Sequence, residues 1–390
     1  MPSIVKKICD APVLSGGFRP FFLGAAIFVA VAIALWLPAY FGEIVIPTAF
    51  APRDWHVHEM LFGFAPAVIA GFLLTAVPNW TGRLPLKGLP LLVLVSAWLA
   101  GRIAVFFSAL IPWWAALLLD NLFVALLLGV ILREIVAGEN WRNLRVASLV
   151  ALLLTGNVAF HVEAHVVGSA SYGQRAGISA IIMLITLIGG RIIPSFTRNW
   201  LARMKGGRLP AIFGKLDAAA VAATAIGLAS WTIFPDGEPT GAALAIAGVL
   251  QATRLARWAG ERTLDDRLVF VLHAAYAFIP VGLLLLAAGA LAIVPQSAGV
   301  HALAAGGIGL MTLAVMSRVN LGHSGHKLVA SRAVQIAYAA IALAALFRIA
   351  AALAPSATYA LLHLAALCWI AGFVTFACSS WTMLVSPRRR

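Results

Sequence analysis

The chain has 390 residues, 62% of them hydrophobic and only 11% charged, with 28 Lys and Arg against 14 Asp and Glu. A soluble domain carries about 25% charged and about 45–50% apolar residues, so the composition excludes a set of soluble domains and points to one polytopic membrane protein. The formal charge of +14 does not mark a nucleic-acid binder, because the cationic residues are dispersed between apolar segments and form no patch.

A helix needs about 20 apolar residues to cross the hydrocarbon core. Twelve runs qualify, near 21–41, 58–79, 89–110, 113–134, 146–167, 173–194, 216–235, 240–257, 268–293, 298–318, 333–353 and 357–384. They predict an all-α, polytopic integral membrane bundle of about twelve transmembrane helices, forming one domain over 1–390. The first run follows Lys6 and Lys7 without a small-residue cleavage site, so it is expected to be retained as a helix. Turn signals such as GRLPLKG after span two and FPDGEPTG after span seven separate the runs. No sequence repeat is evident between the two halves. Cys9, Cys368 and Cys378 make no disulfide framework.

Cytoplasmic loops carry an excess of Lys and Arg. With spans numbered in order, one side receives 24 of the 28 cationic residues, from Lys6 and Lys7 to the Arg388–Arg390 tail; the other receives Arg53 and Arg175, while Arg102 and Arg348 fall within spans. Both termini are therefore expected in the cytoplasm. This direction gives every histidine a depth. His56 and His58 open span two from outside, His161 and His165 close span five, His301 opens span ten, and His363 lies two turns into span twelve. His273, His323 and His326 fall on the inner side.

Alone, each of these reads as an interfacial or hydrogen-bonded residue. Six imidazoles at one depth on four helices read as a metal-ligand pool, because ionisable groups that persist in spans face interior sites. His161 and His165 are four apart and share a face, with Asn157 one turn below. His56 and His58 are two apart, about 200° around a regular helix. Either one of them faces the site, or the helix starts later and the stretch is extended; Pro52 and Asp54 fit a helix start here, with Asp54 as N-cap. Glu59, Asp120 and Glu163 add buried acids, and Arg102 and Arg348 buried bases. These charges either pair between helices or serve a site: an Arg holding an anionic group such as a haem propionate, and Glu59 as ligand or proton carrier. Imidazole suits haem iron, copper and zinc without choosing among them. On the inner side, GGRIIPSFTRNW (189–200) and MSRVNLGHSGH (316–326) join cations to Gly or Pro.

The motifs FRPFF (18–22), WHVHEMLFGF (55–64), GGRIIPSFT (189–197) and HALAAGGIGLMTLAVMSRVNLGHSGH (301–326) resemble those of the NnrS family of bacterial inner-membrane proteins. The resemblance implies a twelve-helix protein with haem and copper that acts in nitric oxide metabolism and protection against nitrosative stress. Its motif residues fall here on His56, His58, Glu59, Arg191, Pro194, His301, Arg318, His323 and His326; His161, His165 and His363 come from the depth argument. The adjacent His-His pair of haem-copper oxidases is missing from the sequence, so that catalytic core is not expected. The sequence therefore reads as a multi-pass inner-membrane protein, embedded in lipid, with a His-rich metal site in the periplasmic half and nitric oxide or a related nitrogen oxide as partner. Two rivals stay open: a proton-coupled secondary transporter, and a non-catalytic haem or copper sensor or chaperone.

Overall fold

Within hydrocarbon every backbone N–H and C=O must find its partner inside the segment, which leaves the helix as the element available to runs this apolar. The computed structural model describes residues 10–204 and 206–388. Among the described residues it forms twelve long helices and no strand. These are α1 (Phe18–Tyr40), α2 (Pro52–His58, Glu59–Phe64 and Ala65–Thr81 in one continuous helix), α3 (Leu89–Phe106), α4 (Trp113–Ala137), α5 (Leu144–Val167) and α6 (Tyr172–Leu184, Ile185–Gly189 and Gly190–Leu201). There follow α7 (Lys215–Ile233), α8 (Glu238–Ala256), α9 (Arg267–Ala290), α10 (Gln296–His301, Ala302–Leu310 and Met311–His323), α11 (Arg332–Leu353) and α12 (Thr358–Val385). Eleven are long and apolar enough to cross a membrane. The remaining one is α8, whose Gly, Ala and Thr residues and buried Gln251 and Arg254 dilute its apolar character. Lys6, Lys7, Cys9, Lys205, Arg389 and Arg390 lie outside the described residues.

Three helices contain a π segment: Glu59–Phe64 in α2, Ile185–Gly189 in α6 and Ala302–Leu310 in α10. π turns are rare and gather at functional sites. In α6 the π turn precedes Pro194, and the helix runs through that proline to Leu201. The expected boundary at residue 194 is thus passed by two turns, and Arg191 lies inside the helix, exposed, rather than after it. Where α2 ends, Gly82 takes φ 71° and closes the helix as a left-handed cap.

The chain packs as two compact units, residues 1–177, 318–327 and 376–390 in the first and 178–317 and 328–375 in the second. In the first, α3 and α4 approach closely at Gly101, where a Cβ would lie 3.0 Å from the Asp120 Cα. Arg19 of the FRPFF motif is buried and donates to the carbonyls of Leu384 (3.2 Å) and Ser386 (2.5 Å), tying the start of α1 to the end of α12.

In the second unit the polar centre is Arg254, a cation with 1% exposure. It donates to Asp217 Oδ1, the Thr186 carbonyl and Tyr276 Oη, each at 3.1 Å. Tyr276 in turn donates to Gln251, and Gln251 to Thr224, both at 2.8 Å. Gly190, the second glycine of GGRIIPSFT, makes room for this guanidinium; a Cβ there would collide with it. Displacing a paired buried charge is strongly destabilising. Gly190→Ala is expected to lower stability by about 2–4 kcal/mol, read as a fall in the thermal melting temperature of detergent-purified protein, whereas Gly129→Ala, in open space, leaves it near wild type.

Candidate metal centre

Pro52 fixes φ and has no N–H to satisfy, so it starts α2 readily. The N-cap is Ala51, and Asp54 sits within the first turn, where its Oδ2 accepts the Ala170 N–H at 3.3 Å; the expected capping role of Asp54 is thereby corrected. Helix geometry is already present at His56 and His58, so the two imidazoles point apart. The His56 ring stacks on Trp36 of α1 (4.1 Å between centroids, 22°). His58 turns inward and is 0% exposed. The π turn begins with the next residue and carries Glu59 beside it.

His58 meets α4 and α5. Its Nε2 lies 3.1 Å from Asp120 Oδ2 and 3.0 Å from Asn157 Oδ1. His161, one turn above Asn157, brings its Nε2 to 3.1 Å from the same Asp120 oxygen. Asn157 Nδ2 donates to that oxygen at 2.6 Å. One ligand atom from each of His58, Asp120 and His161 falls within 4.8 Å of the others, and all three residues are buried. Arg102 of α3 donates one nitrogen to Glu59 and another to Asp120. The walls are aromatic: Phe50, Phe62 and Phe160 stand 5.2–5.4 Å from the His58 ring. Trp98 donates to the Gly63 carbonyl at 2.9 Å, fixing α3 against the π turn.

The structure thus brings together His58, His161, Glu59 and Arg102 from the expected set. Arg102, a candidate propionate partner from sequence, is engaged by two carboxylates instead. His165 leaves the cluster although it shares a helix with His161; it is exposed and stacks on Trp113 (4.4 Å, 11°). Glu163 is half-buried and accepts the N–H groups of Ser171, Tyr172 and Gly173, holding the start of α6. His301, His363 and Arg348 belong to the second unit, as do Arg191 and Pro194. Arg318, His323 and His326 belong to the first, with the exposed His323 ring 5.7 Å from Phe18. Asp120 and Asn157 are the members that sequence reasoning did not place in the site. Asn157 carried a signal, lying one turn from His161; Asp120 read only as a buried acid.

Two buried atoms test which ion the cluster fits. His58 Nδ1 and Glu59 Oε1 lie 3.5 Å apart, and neither has a hydrogen-bond partner. Both oxygens facing Nε2 accept, so without a metal Nε2–H donates to them; a proton moved to Nδ1, toward Glu59, would free the Nε2 lone pair for a metal, the carboxylate–histidine arrangement that orients metal ligands. With both imidazoles neutral, Glu59, Asp120 and Arg102 leave one net negative charge in an apolar surround, which favours a cation. Two imidazoles and a carboxylate suit copper or zinc. Haem does not suit this cluster, because the Phe50, Phe160 and His161 rings stand 5.0–5.2 Å from the His58 ring and the ligand atoms of His58, Asp120 and His161 converge within 4.8 Å.

A family model described as NnrS protein matches residues 12–388. No curated protein matches the chain. Truncating Arg102 leaves Glu59 and Asp120 buried without their cation, a loss of about 3–5 kcal/mol. Arg102→Met is therefore expected to yield protein with a markedly lower melting temperature in detergent, and Arg102→Met combined with Glu59→Gln to recover part of it; equal melting of wild type and Arg102→Met contradicts the ion-pair assignment.

Proposed function

The chain belongs to the NnrS family, and on that footing we propose that it is a multi-pass inner-membrane protein of the nitric oxide response that holds a copper ion between His58, His161 and Asp120. Family membership supports the nitric oxide response. The buried two-histidine, one-carboxylate cluster supports the ion and is the observation that carries this reading. The distribution of Lys and Arg supports cytoplasmic termini and a centre in the periplasmic half.

Each residue has a definable task. His58 and His161 offer Nε2 from two helices, and Asp120 offers a carboxylate oxygen. Asn157 orients that carboxylate, and Glu59 orients His58 through Nδ1. Arg102 pairs with both acids and prevents their repulsion from splaying α2 from α4. Phe50, Phe62 and Phe160 exclude water, while nitric oxide, small and uncharged, reaches such a centre through lipid. Bound copper supplies a redox-active ion that takes nitric oxide as a ligand. Haem, which the family resemblance implies, is left no place at this cluster.

Protein purified from copper-replete cells is expected to contain copper, and His58→Ala/His161→Ala to lose it with its helical content intact. Nitric oxide is expected to change the copper electron paramagnetic resonance signal of wild type. Full copper content in the double variant, or a signal indifferent to nitric oxide, sinks the proposal. Reporter fusions check the orientation: a reporter active in the cytoplasm works after residue 388, and a periplasmic one works in the loop at residues 42–50.

A further inference from the structure

In the first unit α2 packs on α4, and a groove runs between them toward the end of α2 opposite to His58. It encloses about 320 Å³ with its mouth included. Its walls are Leu74 and Val77 of α2, Leu84 and Leu86 of the loop at 82–88, and Val130 and Ile131 of α4. The loop is pinned at both ends. Gly82 and Gly88 turn it with φ 71° and 64°, and the Gly88 N–H donates to the Leu14 carbonyl at 3.0 Å. Leu84 nevertheless stands 90% exposed, an apolar side chain at the rim that its own unit leaves uncovered. Leu74 lies roughly 24 Å along α2 from His58, at 1.5 Å per residue, so the groove is separate from the candidate metal centre.

The mouth of this groove is cationic. Arg133 and Glu134 line it, and both oxygens of Glu134 are taken by guanidinium groups. Arg83 Nε donates to Oε2 at 2.5 Å, while Arg133 Nε and Nη2 donate to Oε1 at 3.0 and 2.7 Å. Two cations share one carboxylate, so one positive charge is left uncompensated, and Lys87 in the loop adds another. The acid is inside and the cations are outside: the Glu134 side chain is 11% exposed, Arg83 44% and Arg133 61%. Arg83 spends only Nε on Glu134, which leaves its two terminal nitrogens for a second acceptor. A guanidinium fork matches the paired oxygens of a phosphate. Ion pairs this exposed contribute little by themselves, so stability alone is a weak reason for two arginines here.

We infer that the groove between α2 and α4 binds one anionic phospholipid, with its phosphate on Arg83 and Arg133 and an acyl chain along the leucine and valine walls. Charge and apolarity meet at one place, which is the pattern an amphiphile complements. A free phosphate would use the mouth and leave Leu84 uncovered. A neutral lipid would cover Leu84 and leave the positive charge unmatched. The segment at residues 1–9 precedes the strand of chain that pairs with Gly88, but it carries Lys6 and Lys7 and no acid, so it does not supply the anion. The distribution of Lys and Arg supports a cytoplasmic position for this end of α2, and the cytoplasmic leaflet is the anionic one, where basic pockets between helices take lipid head groups. The bound lipid would join the loop at 82–88 to α4 through charge at the mouth and through apolar contact within.

Full-length protein in detergent, stripped of co-purified lipid, is titrated with phosphatidylglycerol and separately with phosphatidylcholine, and bound lipid is counted by native mass spectrometry. Wild type is expected to hold one phosphatidylglycerol about tenfold more tightly than phosphatidylcholine. Arg83→Gln/Arg133→Gln is expected to lose that preference. Val130→Trp, at a half-buried wall position, fills the groove and keeps the charges; it is expected to lose the tightly held lipid, and it carries the test where the arginine variant does not fold. Arg142→Gln/Arg145→Gln removes two exposed cations that do not line the groove and is expected to bind as wild type. Four results overturn the site. Equal binding of the two lipids by wild type removes the anionic head group. An equal loss in the Arg142/Arg145 variant shows diffuse surface charge. Val130→Trp binding as wild type shows that the groove is not used. Displacement of phosphatidylglycerol by excess inorganic phosphate shows a free-anion site.

Discussion

Arg102 is a cation with 7% exposure in the apolar interior of its unit, and the candidate centre depends on how that charge is balanced. Taking one ion out of water costs several kcal/mol, and the loss is offset only where partners sit in good geometry. Glu59 from α2 and Asp120 from α4 are those partners, so one guanidinium sets the spacing of three helices. The Gly101 contact lets α3 come close enough to α4 for this. Asp120 divides its two oxygens: one faces Arg102, and the other collects Asn157, His58 and His161. The candidate centre is thus built on an ion pair, and the imidazoles are positioned by a carboxylate that is itself already fixed.

Much of this was legible in residues alone. Length and apolarity located all twelve helices, since hydrocarbon permits little else. Counting charges set His58 and His161 at one expected depth, and the structure brings the two together on one carboxylate oxygen. The choice between His56 and His58 did not follow, because it turns on a helix start at Pro52 and on which ring finds Trp36. Asp120 was visible as an acid, yet nothing in its neighbours said that it would accept from two histidines. For Arg102 the sequence leaves pairing between helices and an external anion both open; the structure shows the pairing, with partners 43 residues before it and 18 after it, a separation that local pattern does not bridge. The helices α2, α6 and α10 extend past their expected limits, to Pro52, Leu201 and His323, because polar residues at those ends still take helical geometry.

The π turn behind His58 also bears on how such a centre arises and disappears. A regular helix gains about 100° per residue. Deleting one residue between positions 59 and 64 would restore regular geometry and swing His58 out of line with Asp120, while leaving every apolar side chain below residue 65 where it was. A lineage carrying this scaffold can therefore switch a centre off, or recruit one, by a single-codon insertion or deletion, without rebuilding the membrane helix that carries it.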